Sequence, residues 1–383
     1  MNLPGISAPD RTSHSDVLVL GGGVIGLALA LELRQRGREV TLLERDHAGR
    51  GASWAAAGML GAVDSPRYPA LQPLSDLSLQ LYPAFIENVA YTAGVPVPFR
   101  TTHTLLVLEP GELLPAGATA VSREEARALV PQLSRNLASG RRLAWLAERS
   151  LDPRELCSGL YAACIAAGVQ LLEDHPVLEL SRTADAIVAE TPSGNFVAPQ
   201  AVIAAGAWSS GLAPLPVEPR KGHMLVLADT CRPPLSAVIR SHDVYLVPRG
   251  DQRILIGATV ERSGFDAALD PAALRHLQNA AAALVPALAS APQLDAWVGF
   301  RPGTPDDLPI LGPMLESGSL APGLFAATGH FRNGILLAPA TARLLAQCLM
   351  GEPTSISIDN FLLSRFSGAS PAAACDNHSI ATL

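Results

Sequence analysis

Val17-Leu18-Val19-Leu20-Gly21-Gly22-Gly23-Val24-Ile25-Gly26 joins a short apolar run to a helix-like stretch that ends near Gly37. A second apolar run, Val40-Thr41-Leu42-Leu43, follows, and Glu44 closes it 18 residues beyond Gly26. Strand, glycine turn, helix, strand and terminal acid come in the order of a dinucleotide-binding unit. Gly21 permits the tight turn, Gly23 has no side chain to block a pyrophosphate, and Gly26 lets the helix lie close on the strand. Val24 and Ile25 open the helix, whose N-terminus offers N–H groups and a partial positive charge to phosphates. Glu44 can accept from ribose hydroxyls and would repel a 2′-phosphate, so FAD or NAD is expected rather than NADP.

Outward from this unit, 383 residues are enough for two or more domains. Charged residues are 16% and hydrophobic ones 48%, the balance of a packed soluble chain rather than a disordered one. The formal charge is −7, from 28 basic and 35 acidic residues with no basic cluster, which argues against nucleic acid as a partner. No apolar run approaches the roughly 20 residues that span a bilayer, so stable membrane insertion is not expected. Met1 to Ser15 carries Pro, Asp, Ser and His where a secretory signal needs an apolar core, and reads as an N-terminal tail. Cys157, Cys164, Cys231, Cys348 and Cys375 are scattered and lack a C-x-x-C pair, which fits a reduced, cytoplasmic chain without a metal site. Cys157 and Cys164 are spaced for one buried helix face.

Asp152-Pro153 is a helix start, with Asp as cap and Pro at the first helical position, and Leu156, Leu160, Ala163 and Ala167 recur at helical spacing up to Gly168. Strand-like segments follow at 169–172, 177–180, 186–190 and 196–197, then Ala201-Val-Ile-Ala-Ala205 runs into Gly206. Thr104–Leu108 reads as a strand and a polar helix begins at Ser122. Met224–Leu227, Val244–Val247 and Ile254–Ile256 are apolar, and Pro248-Arg-Gly-Asp-Gln-Arg253 suits an antiparallel hairpin. The expected fold is α/β: an FAD-binding Rossmann-like domain with an inserted α+β substrate domain containing an antiparallel sheet. The expected cofactor domain is discontinuous over 16–84, 146–216 and 298–366. The substrate domain would cover 85–145 and 217–297, and 367–383 a C-terminal tail.

Three further segments carry a family resemblance: Gly51-Ala-Ser-Trp-Ala-Ala-Ala-Gly-Met59, Gly299-Phe-Arg-Pro-Gly-Thr-Pro-Asp306 and Thr328-Gly-His-Phe-Arg-Asn-Gly-Ile-Leu-Leu-Ala-Pro339. Together they resemble the glycine oxidases of thiamine biosynthesis, within the D-amino acid oxidase family of flavoproteins, from about Asp16 to Glu352. The resemblance implies that Glu44 and Arg45 lie at the adenosine ribose. Ala52, Ser53, Ala57, Gly58 and Met59 would lie along the pyrophosphate and flavin, and Val177 on a strand at the adenine end. Gly206 would begin a second flavin-proximal loop. His330, Phe331, Arg332, Asn333, Gly334, Ile335 and Leu336 match the loop and helix start at the flavin's pyrimidine edge. There, helix N–H groups would stabilise the negative charge of a reduced flavin. Plainer readings exist beside these: Ala55-Ala56-Ala57 as close helix packing, Gly206 as a strand exit, and His330 and Arg332 as ordinary loop residues.

Arg301 matches the family's carboxylate-binding arginine, a role its planar fork suits; the alternative is an ion pair with Asp306 or Asp307. Tyr245 matches a pocket tyrosine that donates to the same carboxylate; the alternative is a half-buried strand tyrosine. Arg332 would line the pocket through its backbone. No acid–base dyad is expected, because the family transfers a hydride from the substrate α-carbon to flavin and catalysis is mostly positioning. Dioxygen would take the electrons and give hydrogen peroxide. The imine would hydrolyse or pass to thiazole synthase. No cysteine lies between Trp297 and Asp306, where related sarcosine oxidases attach their flavin, so FAD should be non-covalent. A homo-oligomer acting on glycine, sarcosine or small D-amino acids is the resulting expectation. Its rivals are a D-amino acid dehydrogenase feeding a quinone, an NAD-dependent dehydrogenase, and a flavin-binding subunit without turnover.

Overall fold

The computed structural model describes residues 12–61, 68–316 and 319–366; the expected C-terminal tail and Cys375 lie outside them. Six strands form the central sheet, in the order Gln170–Leu172, Val40–Leu43, Val17–Leu20, Gln200–Ile203, Ser319–Thr328 and Ile310–Glu316. Neighbours are parallel except for the last pair, which is antiparallel. Successive strand side chains point to opposite faces. Val17, Val19, Val40, Leu42 and Val202 therefore enter one core while Leu18, Leu20, Leu43, Ala201 and Ile203 enter another. Both faces are covered, which is why these strands are mostly apolar. The helices Val24–Gln35, Gln72–Ala93, Pro153–Ala167 and Gly334–Leu349 cover the first face. A small sheet covers the second, ordered Thr12–His14, Gly194–Ala198, Ile187–Thr191, Glu179–Arg182.

An eight-stranded sheet runs Gln293–Gly303, Glu218–Ala228, Arg253–Gly257, Tyr245–Gly250, Val238–Ser241, Thr104–Leu108, Arg142–Leu146, Thr119–Val121. The hairpin around 248–253 pairs Tyr245–Gly250 with Arg253–Gly257 antiparallel, as its sequence suggests. One neighbouring pair departs from an antiparallel sheet. Val238–Ser241 runs parallel to Thr104–Leu108, where two segments distant in sequence meet. Alternation divides this sheet too. Leu225, Leu227, Ile239, Leu246, Ile254 and Ile256 pack under the helix Pro271–Leu284. Met224, Val226, Val238, Val247 and Leu255 form the opposite face with Tyr245 and Trp297.

The structure corrects several sequence expectations. Thr12–His14 is a strand parallel to Gly194–Ala198, because the free edge of the small sheet offers backbone groups that an extended segment satisfies. Val177 lies in the connection before Glu179–Arg182 rather than on a strand. Pro176 has no N–H for a ladder, and pairing resumes only where the Leu178 N–H meets the Glu190 carbonyl. The boundary expected at 84/85 cuts the helix Gln72–Ala93, whose Leu74, Tyr82, Ile86 and Val89 all enter the core of the central sheet. Boundaries at 145/146 and 297/298 likewise fall within strands. Apolar packing on both sides of Pro83 carries that helix through the break a proline signals locally.

The helix Pro153–Ala167 begins and ends as its sequence indicates. Asp152 Oδ1 accepts the Arg154 N–H at 2.9 Å, and Gly168 closes it at φ +84°. Cys157 and Cys164 lie on its buried face, where burial pushes both thiols up to about 12. Cys231 is also buried, and its thiol is pushed up to about 12 for the same reason. Among the described residues no helix is long and apolar enough to cross a membrane.

Candidate active site

A cavity of about 2120 Å³ lies between the C-terminal ends of the parallel strands and the Met224 face of the eight-stranded sheet. In an open α/β sheet this is the end at which ligands bind. All of the site residues singled out in the sequence reach its wall except Gly26 and Leu336. Gly26 acts from beneath: a Cβ there would strike the Gly21 carbonyl, so the helix could not lie on the strand. Leu336 is buried, with its side chain in the core of the central sheet rather than on the cavity wall.

At the end of the first central strand, Gly21 turns at φ +114°, and a Cβ would come within 2.6 Å of the Ala204 carbonyl oxygen. The next amide, Gly22, donates to Glu44 Oε2 at 2.6 Å, and the Asp46 amide donates to Oε1 at 3.0 Å. Two backbone donors thus hold the Glu44 carboxylate at the strand end. Val24 N–H donates to Ser53 Oγ at 3.0 Å, tying the first helix to the short helix Ala52–Ala55. Gly23, the N-cap, has no side chain of its own, so the hydroxyl at this helix start comes from Ser53. Gly58 turns at φ +78° before Met59, and Gly299 leaves room for Ala55, whose Cβ would otherwise sit 2.6 Å away. Gly206, at φ +54°, opens the turn Gly206–Gly211. Within it Trp208 carries the Arg45 guanidinium 3.7 Å above its ring and stacks on Phe265 at 4.8 Å. This column links the end of the second central strand to the segment that follows the eight-stranded sheet's hairpin. Its two ends, at Arg45 and Phe265, are 220 residues apart, and no local pattern announces it.

At the other end, the loop 329–333 leads into the helix Gly334–Leu349, which begins at Asn333 without a side-chain cap. Phe331 adopts φ +47° and donates its N–H to the Pro302 carbonyl at 2.9 Å. His330 is buried against Thr341 Oγ1 at 3.0 Å, and burial pushes its pKa down to about 3, so the ring is neutral. Ser78 and Tyr82 of the long helix donate to the Leu336 and Ile335 carbonyls at 2.6 and 2.8 Å, fixing this first turn from behind. Burial also raises the Tyr82 phenol and keeps it protonated.

Arg301 stands on the wall formed by the eight-stranded sheet. Its ion-pair alternative does not form: Asp306 is held by Arg365, and Asp307 accepts the Tyr68 hydroxyl at 2.8 Å. Arg301 Nη1 instead donates to the Thr259 carbonyl at 3.1 Å, and Gly222 makes the space its guanidinium occupies. Tyr245 lines the cavity and donates to Met224 Sδ at 3.5 Å; a Cβ on Gly257 would lie 2.5 Å from its hydroxyl. Across the strands Tyr245 is in register with Arg240, which pairs with the buried Glu148. Arg332 is exposed, with its guanidinium 4.9 Å from the Phe331 ring. Gly222, Gly257 and Arg240, in strands, and Thr259, just past one, escape sequence reading, because isolated residues carry no spacing signal.

The sequence profile of the FAD dependent oxidoreductase (DAO) family matches residues 16–348. The chain belongs to this family. A glycine oxidase of Pseudomonas aeruginosa is 36% identical over 88% of this chain and 95% of its own length. A bifunctional ThiO/ThiG protein of Trichormus variabilis is 36% identical over 92% of this chain but 55% of its own length, so the chain spans about half of that relative. The crystal structure of a glycine oxidase from Geobacillus kaustophilus matches with a TM-score of 0.83 and 31% identity, over 92% of this chain and 99% of that one.

The cavity of this FAD-dependent oxidoreductase fits its cofactor. Two helices turn their N-termini to it, one beginning at Asn333 without a side-chain cap and one whose Val24 N–H rests on Ser53 Oγ, an acid stands at the end of the second strand, and small residues line the way between. None of the four described cysteines lines the cavity, in keeping with a non-covalent flavin.

Proposed function

We propose that the chain is an FAD-dependent oxidase of glycine and other small amines, including sarcosine and small D-amino acids. The observation that carries this reading is Arg301, a guanidinium without an ionic partner among the described residues, in the same cavity as the uncapped helix start at Asn333. Such an arginine is ready for a carboxylate, which it can hold by two parallel hydrogen bonds. Tyr245, released from its weak bond to Met224 sulfur, can donate to the same group. Together they would fix the substrate so that its α-carbon hydrogen points at the cofactor. Bound FAD would supply a hydride acceptor that dioxygen can reoxidise. The helix start at Gly334 would stabilise negative charge at the pyrimidine edge through its backbone N–H groups, since the neutral His330 supplies no positive charge there. The net reaction is glycine, dioxygen and water to glyoxylate, ammonia and hydrogen peroxide; where a thiazole synthase is coupled, the imine passes to it instead of being hydrolysed, and no water is consumed. A cytoplasmic, homo-oligomeric enzyme belongs to the same reading; sedimentation of the purified protein tests the oligomer.

Anaerobic addition of glycine to the purified yellow protein tests the whole proposal. Bleaching of the long-wavelength flavin band that reverses in air, with peroxide formed, is the expected result. Bleaching that air does not reverse would make the chain a dehydrogenase with another acceptor, such as a quinone. No bleaching by glycine, sarcosine or D-alanine would overturn the substrate assignment.

A further inference from the structure

Behind Arg301 lies a buried polar cluster that the reaction above does not use. His223 is fully buried on the strand Glu218–Ala228, one residue past Gly222 and so on the opposite face from the arginine. Its Nε2 accepts the Asp270 backbone N–H at 3.0 Å. That group can only donate, so in the neutral ring the proton sits on Nδ1. Nδ1 faces Glu261 Oε1 at 2.9 Å and Thr259 Oγ1 at 3.0 Å. The Thr259 hydroxyl accepts the His223 backbone N–H at 3.0 Å and donates to the same Glu261 oxygen at 2.6 Å. Glu261 is bridged to Lys221 through both backbone groups, and the buried Lys221 ammonium donates to Asp266 and to the Ala268 carbonyl. The segment from 259 to 270 is thereby clamped to the strand at several points. Thr259 turns its hydroxyl into this clamp and its carbonyl outward to Arg301 Nη1.

We infer that His223 and Glu261 are positioning residues for carboxylate recognition. They fix the Thr259 carbonyl, which holds one edge of the Arg301 guanidinium and leaves the rest of the fork facing the substrate. An arginine with no ionic partner otherwise keeps much of its rotamer freedom, and each substrate would have to order it again. The inference rests on the reading of Arg301 as the carboxylate site.

Two ligands separate orientation of the fork from general damage: glycolate, which carries the carboxylate but no amine, and glycine ethyl ester, which carries the amine but no carboxylate. Glycolate binding is read from the flavin spectrum, and oxidation of glycine and of its ester from steady-state kinetics. In His223→Leu the glycolate Kd and the glycine KM should rise about tenfold, the scale of one modest hydrogen bond. Flavin content, glycine kcat and the kinetics of the ester should stay near wild type. His223→Asn, which can still donate to Glu261, should recover much of the loss. If His223→Leu fails to fold, Thr259→Val, which removes one hydroxyl and keeps the carbonyl, should move the same constants in the same direction. Unchanged glycolate affinity would overturn the inference, as would an equal loss for glycine and its ester. A wild-type protein that binds glycolate but does not oxidise glycine would sink the proposed activity while the Kd series still tested the clamp. A wild-type protein that binds no carboxylate would remove the Arg301 assignment and this inference together.

Discussion

Single residues decide how the substrate is held. Arg301→Ala removes two charge-assisted hydrogen bonds to a carboxylate, about 3 kcal/mol or more, so the glycine KM should rise by at least about 100-fold with the flavin still bound. Normal glycine kinetics in that variant would show that the carboxylate lies elsewhere. Gly222→Ala should imitate it, since the added Cβ would strike the guanidinium and lie 2.7 Å from the Thr259 carbonyl oxygen. His330 has a different consequence. Its folded pKa of about 3 lies below the ordinary 6.5, so between these values the unfolded chain binds a proton that the folded one refuses. The stability difference is therefore fully present above about pH 6.5 and is lost as pH falls toward 3. Melting temperatures of His330→Asn against wild type should converge or cross over this range, the variant being the less acid-sensitive. Arg301 could be singled out from the sequence because Gly-Phe-Arg-Pro-Gly-Thr surrounds it. Gly222 could not, because its role is set by a side chain 79 residues away and its own neighbours, Lys221 and His223, point to the opposite face.

At the scale of elements, the two helix starts that face the cavity are positioned by different means. Val24–Gln35 is set by contact with its own strand, and a Gly26→Ala chain should lose flavin, seen as a colourless preparation of lowered melting temperature. Gly334–Leu349 is set by a neighbour, through Ser78 and Tyr82. Tyr82→Phe leaves the Ile335 carbonyl without its buried donor and should cost about 1–2 kcal/mol in denaturant unfolding. It should also weaken FAD binding in proportion, because the element it loosens begins on the cavity wall. This difference explains what could be read in advance. The first helix is announced by glycines within a few residues of one another, and the helix at Pro153 by its cap and its closing glycine. The helix Gln72–Ala93 was hidden by Pro83, since its continuity depends on tertiary packing against Gly334–Leu349 and Pro153–Ala167. The parallel pairing of Val238–Ser241 with Thr104–Leu108 was hidden for a similar reason: each strand is evident alone, but no local signal states its partner.

In the whole molecule the cavity separates two sheets with distinct cores, joined across its rim by the Arg45–Trp208–Phe265 column. A cofactor filling that space contacts both and binds the folded state alone. Adding FAD to stripped protein at about 1,000 times its Kd should therefore add about 4 kcal/mol of stability. A thermal-shift titration checks this, and a melting temperature indifferent to FAD would contradict the cavity assignment. The central sheet was legible because strands covered on both faces are mostly apolar runs. The far sheet was legible only as fragments, since its order joins segments from two distant stretches.

The buried thiols take on a second meaning once the proposed reaction is set beside them. An enzyme that releases peroxide exposes itself to its own product at every turnover, and peroxide attacks the thiolate rather than the thiol. Burial pushes Cys157, Cys164 and Cys231 up to about 12 and raises Cys348 as well, so at neutral pH these four sulfurs are almost wholly protonated. A scaffold arranged for packing thus doubles as protection against self-inactivation, and mass spectrometry after prolonged turnover should find these four cysteines unmodified.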